Sequence, residues 1–402
     1  LSKGPEETNQ FRNKVGIFYN KNRQFTQNQV NEVDIFWGWM MKGSGKLTGV
    51  MVIFLSGSVI VGVAAQDLIK NPRKPASKNP GRVLKMQKVW KISDADSSFY
   101  FRYPQGLAIA SDGSIFINDQ EELLKFSADG HFLGNFYKKG QGPEEIVDFF
   151  NFCLHKDRLF VYDLIANKIL QMDLEGRPIG QVKLEKGPYN GFYGLSDQHF
   201  VCVKMIYPPR EERKGGLQDV GCFILLISLD GKEEKEIYEF KIKTFMSPEA
   251  MGSWDPWDAL LSPDGRRLYV NHTRQYLVEV LDLEKGRVLF SFTRDYPSVK
   301  FVEDPRFADF RKKTKFPEIK YEVDIRGLFT DGRFIWVQTS TNSPDKGDLF
   351  DLFDDRGRFV DSFYLGVKGS LMAVRDGFAY ILEKNEKEEL LLSKYRILEQ
   401  IK

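Results

Sequence analysis

Between residues 104 and 143 the chain reads PQGLAIASDGSIFINDQEELLKFSADGHFLGNFYKKGQGP, short apolar blocks cut by polar turns at even spacing. The pattern predicts four strands: GLAIA (106–110), SIFIND (114–119), ELLKFS (122–127) and HFLGNF (131–136). Ser111-Asp112-Gly113 joins the first two and Asp129-Gly130 the last two, tight turns in which glycine takes the positive φ that a short hairpin requires. Within SIFIND, Ile115 and Ile117 fall on one face and Phe116 on the other. A strand apolar on both faces is one sandwiched between neighbouring sheets.

This unit recurs. Its second strand returns as RLFVYD (158–163), HFVCVK (199–204), RLYVNH (267–272), FIWVQT (334–339) and FAYILE (378–383), each after a polar turn. The turn before the fourth strand returns at Leu174-Glu175-Gly176, Leu229-Asp230-Gly231, Glu284-Lys285-Gly286 and Asp355-Arg356-Gly357. Repetition of a four-stranded antiparallel unit that cannot bury both faces alone predicts an all-β, six-bladed β-propeller over 83–402. The sixth copy ends after LLLSKYRI (390–397) without a fourth strand, and VLKMQKVWKI (83–92) precedes the first copy without a partner. Placing that segment on the outer edge of blade six closes the ring; left free, it would make two incomplete sheets.

The first 39 residues are polar, rich in Asn and Gln, and read as upstream or mistranslated sequence. Met40-Met41-Lys42 and Lys46 then introduce the apolar run LTGVMVIFLSGSVIVGVAA (47–65), whose small-residue end before Gln66 fits a signal peptide over 40–65; its length also suits an uncleaved signal anchor. Residues 66–82, rich in Pro and Lys, are expected to form a flexible tether. These segments predict a secreted, periplasmic or envelope location, with a membrane involved only through an uncleaved N-terminal segment.

Charge excludes one class of partner. The 58 basic and 56 acidic residues fall to 51 and 52 once the first 65 residues, with seven and four, are set aside, so nucleic acid, which demands a concentrated basic surface, is not expected. The 33 Phe and 16 Tyr suit packing between blades. Cys153, Cys202 and Cys222 cannot make a disulfide framework; Cys202 and Cys222, on adjacent strands, are either bridged or buried free thiols.

The Asp-Gly turns share one face of the disc, and the longer connections (204–221, 241–256, 295–324 and 340–348) share the other. Insertions confined to one face of a repeat protein mark a binding face. Arg102, Tyr103, Asp148, Tyr193, Trp257 and Arg326 lie where first strands begin at the channel mouth on that side, and Trp254 sits in a loop able to reach over it. Trp254 and Trp257 are the expected apolar anchors, and Arg102, Asp148 and Arg326 the polar ones, for a polar small molecule, a glycan or peptide, or a partner protein.

The second strands, with the segment KKGQGPEEI (138–146) leaving blade one, resemble NHL-type six-bladed propellers of bacterial secreted and envelope proteins over 83–397. Gly140-Gln141-Gly142-Pro143 is similar to the connector of such blades and lacks the lysine of a phosphate loop. The resemblance implies the fold, and a function drawn from ligand binders, assembly scaffolds, lyases and lactone hydrolases. Metal-dependent lyases of this type use a histidine cluster; of His131, His155, His199 and His272 only the last is placed on the insertion face. A lactonase-like calcium site would draw on Asp119, Asp148, Asp163, Asn271 and Glu383. The expected function is a binding scaffold without a cofactor, with a divalent-cation-dependent lyase or lactone hydrolase as the alternative.

Overall fold

The computed structural model describes residues 67–399 except 94–98, 197, 214 and 248–249, and of residues 149 and 150 only the backbone. The expected signal segment and the 39 residues before it lie outside the described residues. Six small sheets surround a central channel, forming a six-bladed β-propeller. Blade one runs Pro104–Ile109, Ile115–Asp119, Glu122–Phe126 and Phe132–Asn135, inner strand to outer. The innermost strands touch in turn around the ring, that of blade six against that of blade one.

The two-sided strands behave as the sequence demands. All of Ile115–Asp119 is buried. Ile115 and Ile117 pack with Tyr380 and Leu392 of blade six, while Phe116 packs with Leu159 and Val161 of blade two. Each of the six blade interfaces holds its own apolar wedge of this kind. At the Asp112-Gly113 turn, Gly113 has φ +84°, and a Cβ there would stand 2.9 Å from that of Ala128. Backbone conformation and space both select glycine.

Met86–Ile92 pairs antiparallel with Leu390–Ile397, from Ile92 opposite Leu392 to Met86 opposite Ile397. The ring therefore closes as expected, with the first strand of the propeller supplying the outer edge of its last blade. The residues read as a tether are a correction to the sequence reading. Leu68–Asn71 adds a parallel fifth strand to blade four, beside Ser291–Arg294, and Arg82–Val83 adds one to blade five, beside Phe363 and Tyr364. Between them the amides of Ala76, Ser77 and Gly81 donate to the carbonyls of Phe359, Val360 and Ser362. The segment is a belt around the outer edges of blades four and five. It succeeds because an outer strand offers unpaired backbone groups to any extended chain, whatever its side chains.

Cys202 and Cys222 do not face each other: Cys202 lies opposite Leu225 and Cys222 opposite Met205. They point to opposite faces of the sheet, Cys202 into the wedge with blade two and Cys222 into that with blade four, and all three cysteines are free thiols.

Candidate functional site at the channel mouth

Five of the six innermost strands carry the same irregularity at the insertion face. In blade one Pro104 pairs with Asp119 and Gly106 with Asn118, so Gln105 is left unpaired. Phe150, Tyr193, Arg326 and Met372 are skipped in the same way in blades two, three, five and six. Blade four starts its pairing at Asp258 opposite Asn271, which sets Trp257 at the equivalent position. Bulges re-aim the extra residue out of the ladder. The ring of positions at the mouth is thus Gln105, Phe150, Tyr193, Trp257, Arg326 and Met372.

Three of the residues expected from the sequence, Tyr193, Trp257 and Arg326, occupy this ring on successive blades. The Trp257 Nε1–H donates to the Tyr193 hydroxyl over 2.6 Å, and their rings meet edge to face at 6.1 Å. Phe240 stacks on the indole at 4.9 Å, nearly parallel. Behind Phe240 lies His272, ring centres 4.7 Å apart, with its Nε2 3.0 Å from Glu279 Oε2, which also accepts the Tyr238 hydroxyl at 2.7 Å. Burial alone would raise Glu279, but His272 and Tyr238 outweigh it and hold the carboxyl below its ordinary value. Arg326 donates from Nε to Ser340 Oγ at 3.0 Å and lies 3.5 Å from Glu322 Oε2, so its guanidinium is fixed but still partly open.

The other expected residues are not gathered with these. Arg102 and Tyr103 belong to blade one, across the ring from Trp257. Arg102 is exposed, its guanidinium lying 4.8 Å over the Tyr100 ring with Nε donating to the Tyr100 hydroxyl at 2.8 Å. Its backbone N–H and that of Tyr103 both donate to the Asp119 carboxylate. Asp148, on blade two, donates its own N–H to Asp163 Oδ1 at 3.3 Å. Burial, with the carboxylates of Glu121, Asp148 and Asp163, pushes the neighbouring Tyr137 up to about 12.

Trp254 stands away from the mouth, in a core belonging to the insertions themselves. Blade three extends beyond the disc as Gly216–Ser228 and Glu234–Met246, backed by Met251–Ser253. The connection from blade four to blade five contains the helix Pro305–Thr314, which Asp304 caps by accepting the Arg306 N–H at 2.8 Å. Phe245 from the first insertion and Phe307, Phe316 and Ile319 from the second bury one another, with Trp254 and Phe301 beside them. Arg274 stacks on Trp254 at 4.9 Å and donates to the carbonyls of Trp254 at 2.9 Å and Tyr321 at 2.5 Å. The insertions form a packed cap over blades three to five, which no local pattern announced, since its contacts join segments some sixty residues apart.

Three of the five candidate calcium donors, Asp119, Asp163 and Glu383, are engaged by neighbouring groups. Asp163 accepts the N–H groups of Val147 at 2.8 Å and Ala166 at 3.0 Å besides that of Asp148, anchoring the entry to its own blade as Asp119 does in blade one. Glu383 pairs with Lys88 at 2.8 Å and accepts the Tyr395 hydroxyl at 2.8 Å. The Asn271 NH2 donates to Leu277 O at 2.8 Å, while its side-chain oxygen is buried with no hydrogen-bond partner. Among the described residues, no three His, Cys, Asp or Glu side chains are grouped to hold a metal ion.

Fold and mouth together define a six-bladed β-propeller with a capped face. The profile of a family described as a 6-bladed beta-propeller matches residues 96–205. No curated protein matches the chain. Among solved structures it is similar to a member of the DUF4221 family from Bacteroides vulgatus, at 11% identity and a TM-score of 0.51, over 78% of this chain and 98% of that one. It is also similar to a protein from Bacteroides fragilis described as exported, at 11% identity and a TM-score of 0.49, over 83% of this chain and 100% of that one. At such identity the likeness is one of fold.

Proposed function

We propose that this protein is an exported binding scaffold of the NHL type that captures a polar ligand, a glycan or peptide, or a partner protein, on the capped face of the propeller. The observation that carries this reading is the arc Tyr193, Trp257, Arg326. An indole held at its edge by a tyrosine and on one face by Phe240, with a fixed guanidinium at the equivalent position of the following blade, sets aromatic and cationic groups in order before anything binds. Such pre-ordering lowers the entropy cost of recognition, and Trp, Tyr and Arg are the residues that dominate binding energy at interfaces. The location rests on the signal-like segment over 40–65.

Glycan-array and peptide-library binding with residues 66–402 tests the reading. The double change Trp257→Ala, Arg326→Ala is expected to abolish capture and to lower the melting midpoint without loss of cooperative folding; undiminished capture would move the site off this arc. The cation-dependent lyase or hydrolase is the less favoured reading, because three of its five candidate donors, Asp119, Asp163 and Glu383, are engaged by backbone amides, Lys88 and Tyr395. Elemental mass spectrometry after dialysis against metal-free buffer is expected to find no stoichiometric calcium or zinc, and a stoichiometric ion would restore that alternative.

A further inference from the structure

We propose that the tip of the cap, residues 299–322, is a contact site for an anionic lipid bilayer surface, separate from the arc at the channel mouth. The sequence alone assigns membrane contact only to the N-terminal segment.

The tip is stiff. Lys300 and Tyr321 form an antiparallel bridge, the Phe301 N–H donates to Lys320 O at 3.1 Å and the Glu322 N–H to Val299 O at 2.9 Å. Its inner side is the phenyl core of Phe301, Phe307 and Phe316. On this base Phe301 packs against the core while Val302 stays out of it. Val302 is 85% exposed, the most of any large hydrophobic residue among those described, and Tyr321 is 50% exposed. Neither contributes to the buried core, and Tyr321 is held in place by the bridge and, at its carbonyl, by Arg274.

Charge surrounds them. Of the seven basic residues in 300–320, Arg311 pairs with Glu303 at 2.6 Å and Arg306 with Asp304 at 3.1 Å. Lys300, Lys312, Lys315 and Lys320 are exposed, with Asp309 and Glu318 as the remaining carboxylates of 300–320. With Glu322 included, the tip 299–322 carries seven basic and five acidic residues, a net excess of two positive charges in a propeller that is otherwise balanced. Three basic residues in the last turn of the helix also complement its dipole. That role does not extend to Lys300 or Lys320, which lie outside the helix.

The occupant follows from the chemistry. The cations are lysines on flexible stems, suited to a broad field of phosphate headgroups more than to a bidentate pocket. An exposed aliphatic side chain and an exposed tyrosine match the acyl boundary and the headgroup level of a bilayer.

Residues 66–402 contain the whole ring with its own cores and suffice for the test: co-sedimentation with phosphatidylcholine vesicles lacking or containing about 30% phosphatidylglycerol. Binding is expected only to the anionic vesicles and should fall steeply as salt is raised. Lys312→Gln, Lys315→Gln, Lys320→Gln together should weaken it about a hundredfold. Val302→Ser should weaken it several-fold at constant charge, with melting unchanged because the side chain is outside the core. Failure to bind anionic vesicles at low salt, or binding indifferent to both variants, would overturn the proposal. Equal capture of soluble polyglutamate, unaffected by Val302→Ser, would also overturn it and assign an acidic polypeptide to this site instead.

Discussion

Asn71 offers a direct test of the belt. Its side-chain amide donates to Thr293 O at 3.0 Å on blade four and to Gly357 O at 2.9 Å in the turn of blade five, and its oxygen accepts the Phe359 N–H at 2.9 Å. One residue from the segment read as a tether thereby stitches two blades together. Asn71→Ala removes all three bonds and leaves their backbone partners half-buried. At about 1 kcal/mol net for each bond, with water recovering part of the loss, the expected cost is about 2–3 kcal/mol. For a domain of this length that corresponds to a drop of about 3–5 °C in the midpoint of thermal unfolding followed by circular dichroism. Asn71→Asp keeps the acceptor for Phe359 but sets a carboxylate against two carbonyls, and should be at least as damaging. Trypsin supplies a second readout: Lys70 is protected in the docked belt and should be cut faster in both variants. A midpoint within about 1 °C of the wild type for Asn71→Ala, with no gain in cleavage, would refute the reasoning.

Three further outcomes are expected. Arg294 is buried with its Nε 2.6 Å from Asp351 Oδ2, and Tyr276, Tyr296 and Phe359 enclose its guanidinium. Arg294→Ala strands that carboxylate and should cost about 3–5 kcal/mol in urea unfolding, whereas a cost below about 1 kcal/mol would show the pair to be dispensable. Glu279 titrates below its ordinary value of 4.5 in the folded protein, so the unfolded chain takes up the proton first. Its contribution is complete above that value and is lost as pH falls through the depressed one. Melting midpoints measured against pH should lose part of their acid limb in Glu279→Gln, and superimposable limbs would contradict this. Burial raises all three thiols, Cys222 to about 12. Iodoacetamide should therefore leave the native protein unlabelled and add three groups after unfolding without reductant; one group would reveal a disulfide.

What the sequence determines here is whatever depends on neighbours along the chain. The alternation in SIFIND and its copies, together with the Asp-Gly turns, specifies strand, turn and two-sided burial within a few residues, so blade number and ring closure could be read directly. The start of each first strand also places Tyr193, Trp257 and Arg326 at the mouth, where the residue ahead of Gly194 and Gly327 is the one that the ladder skips. Gln105 and Met372, ahead of Gly106 and Ala373, carry the same signal.

The tertiary structure decided what depends on a partner far away in sequence. The belt has no side-chain period, because backbone groups on an exposed sheet edge select it, and Asn71 meets Gly357 across 286 positions. Trp254 joins the core of the cap because Phe316 and Arg274 happen to converge on it. Asp119 and Asp163 are spent on the amides that start their own blades, a commitment visible only once the second strand has been laid beside the first. Local periodicity fixes which face of a strand is apolar; the identity of what covers that face is settled by packing, in which every contact is short in space and unconstrained in sequence.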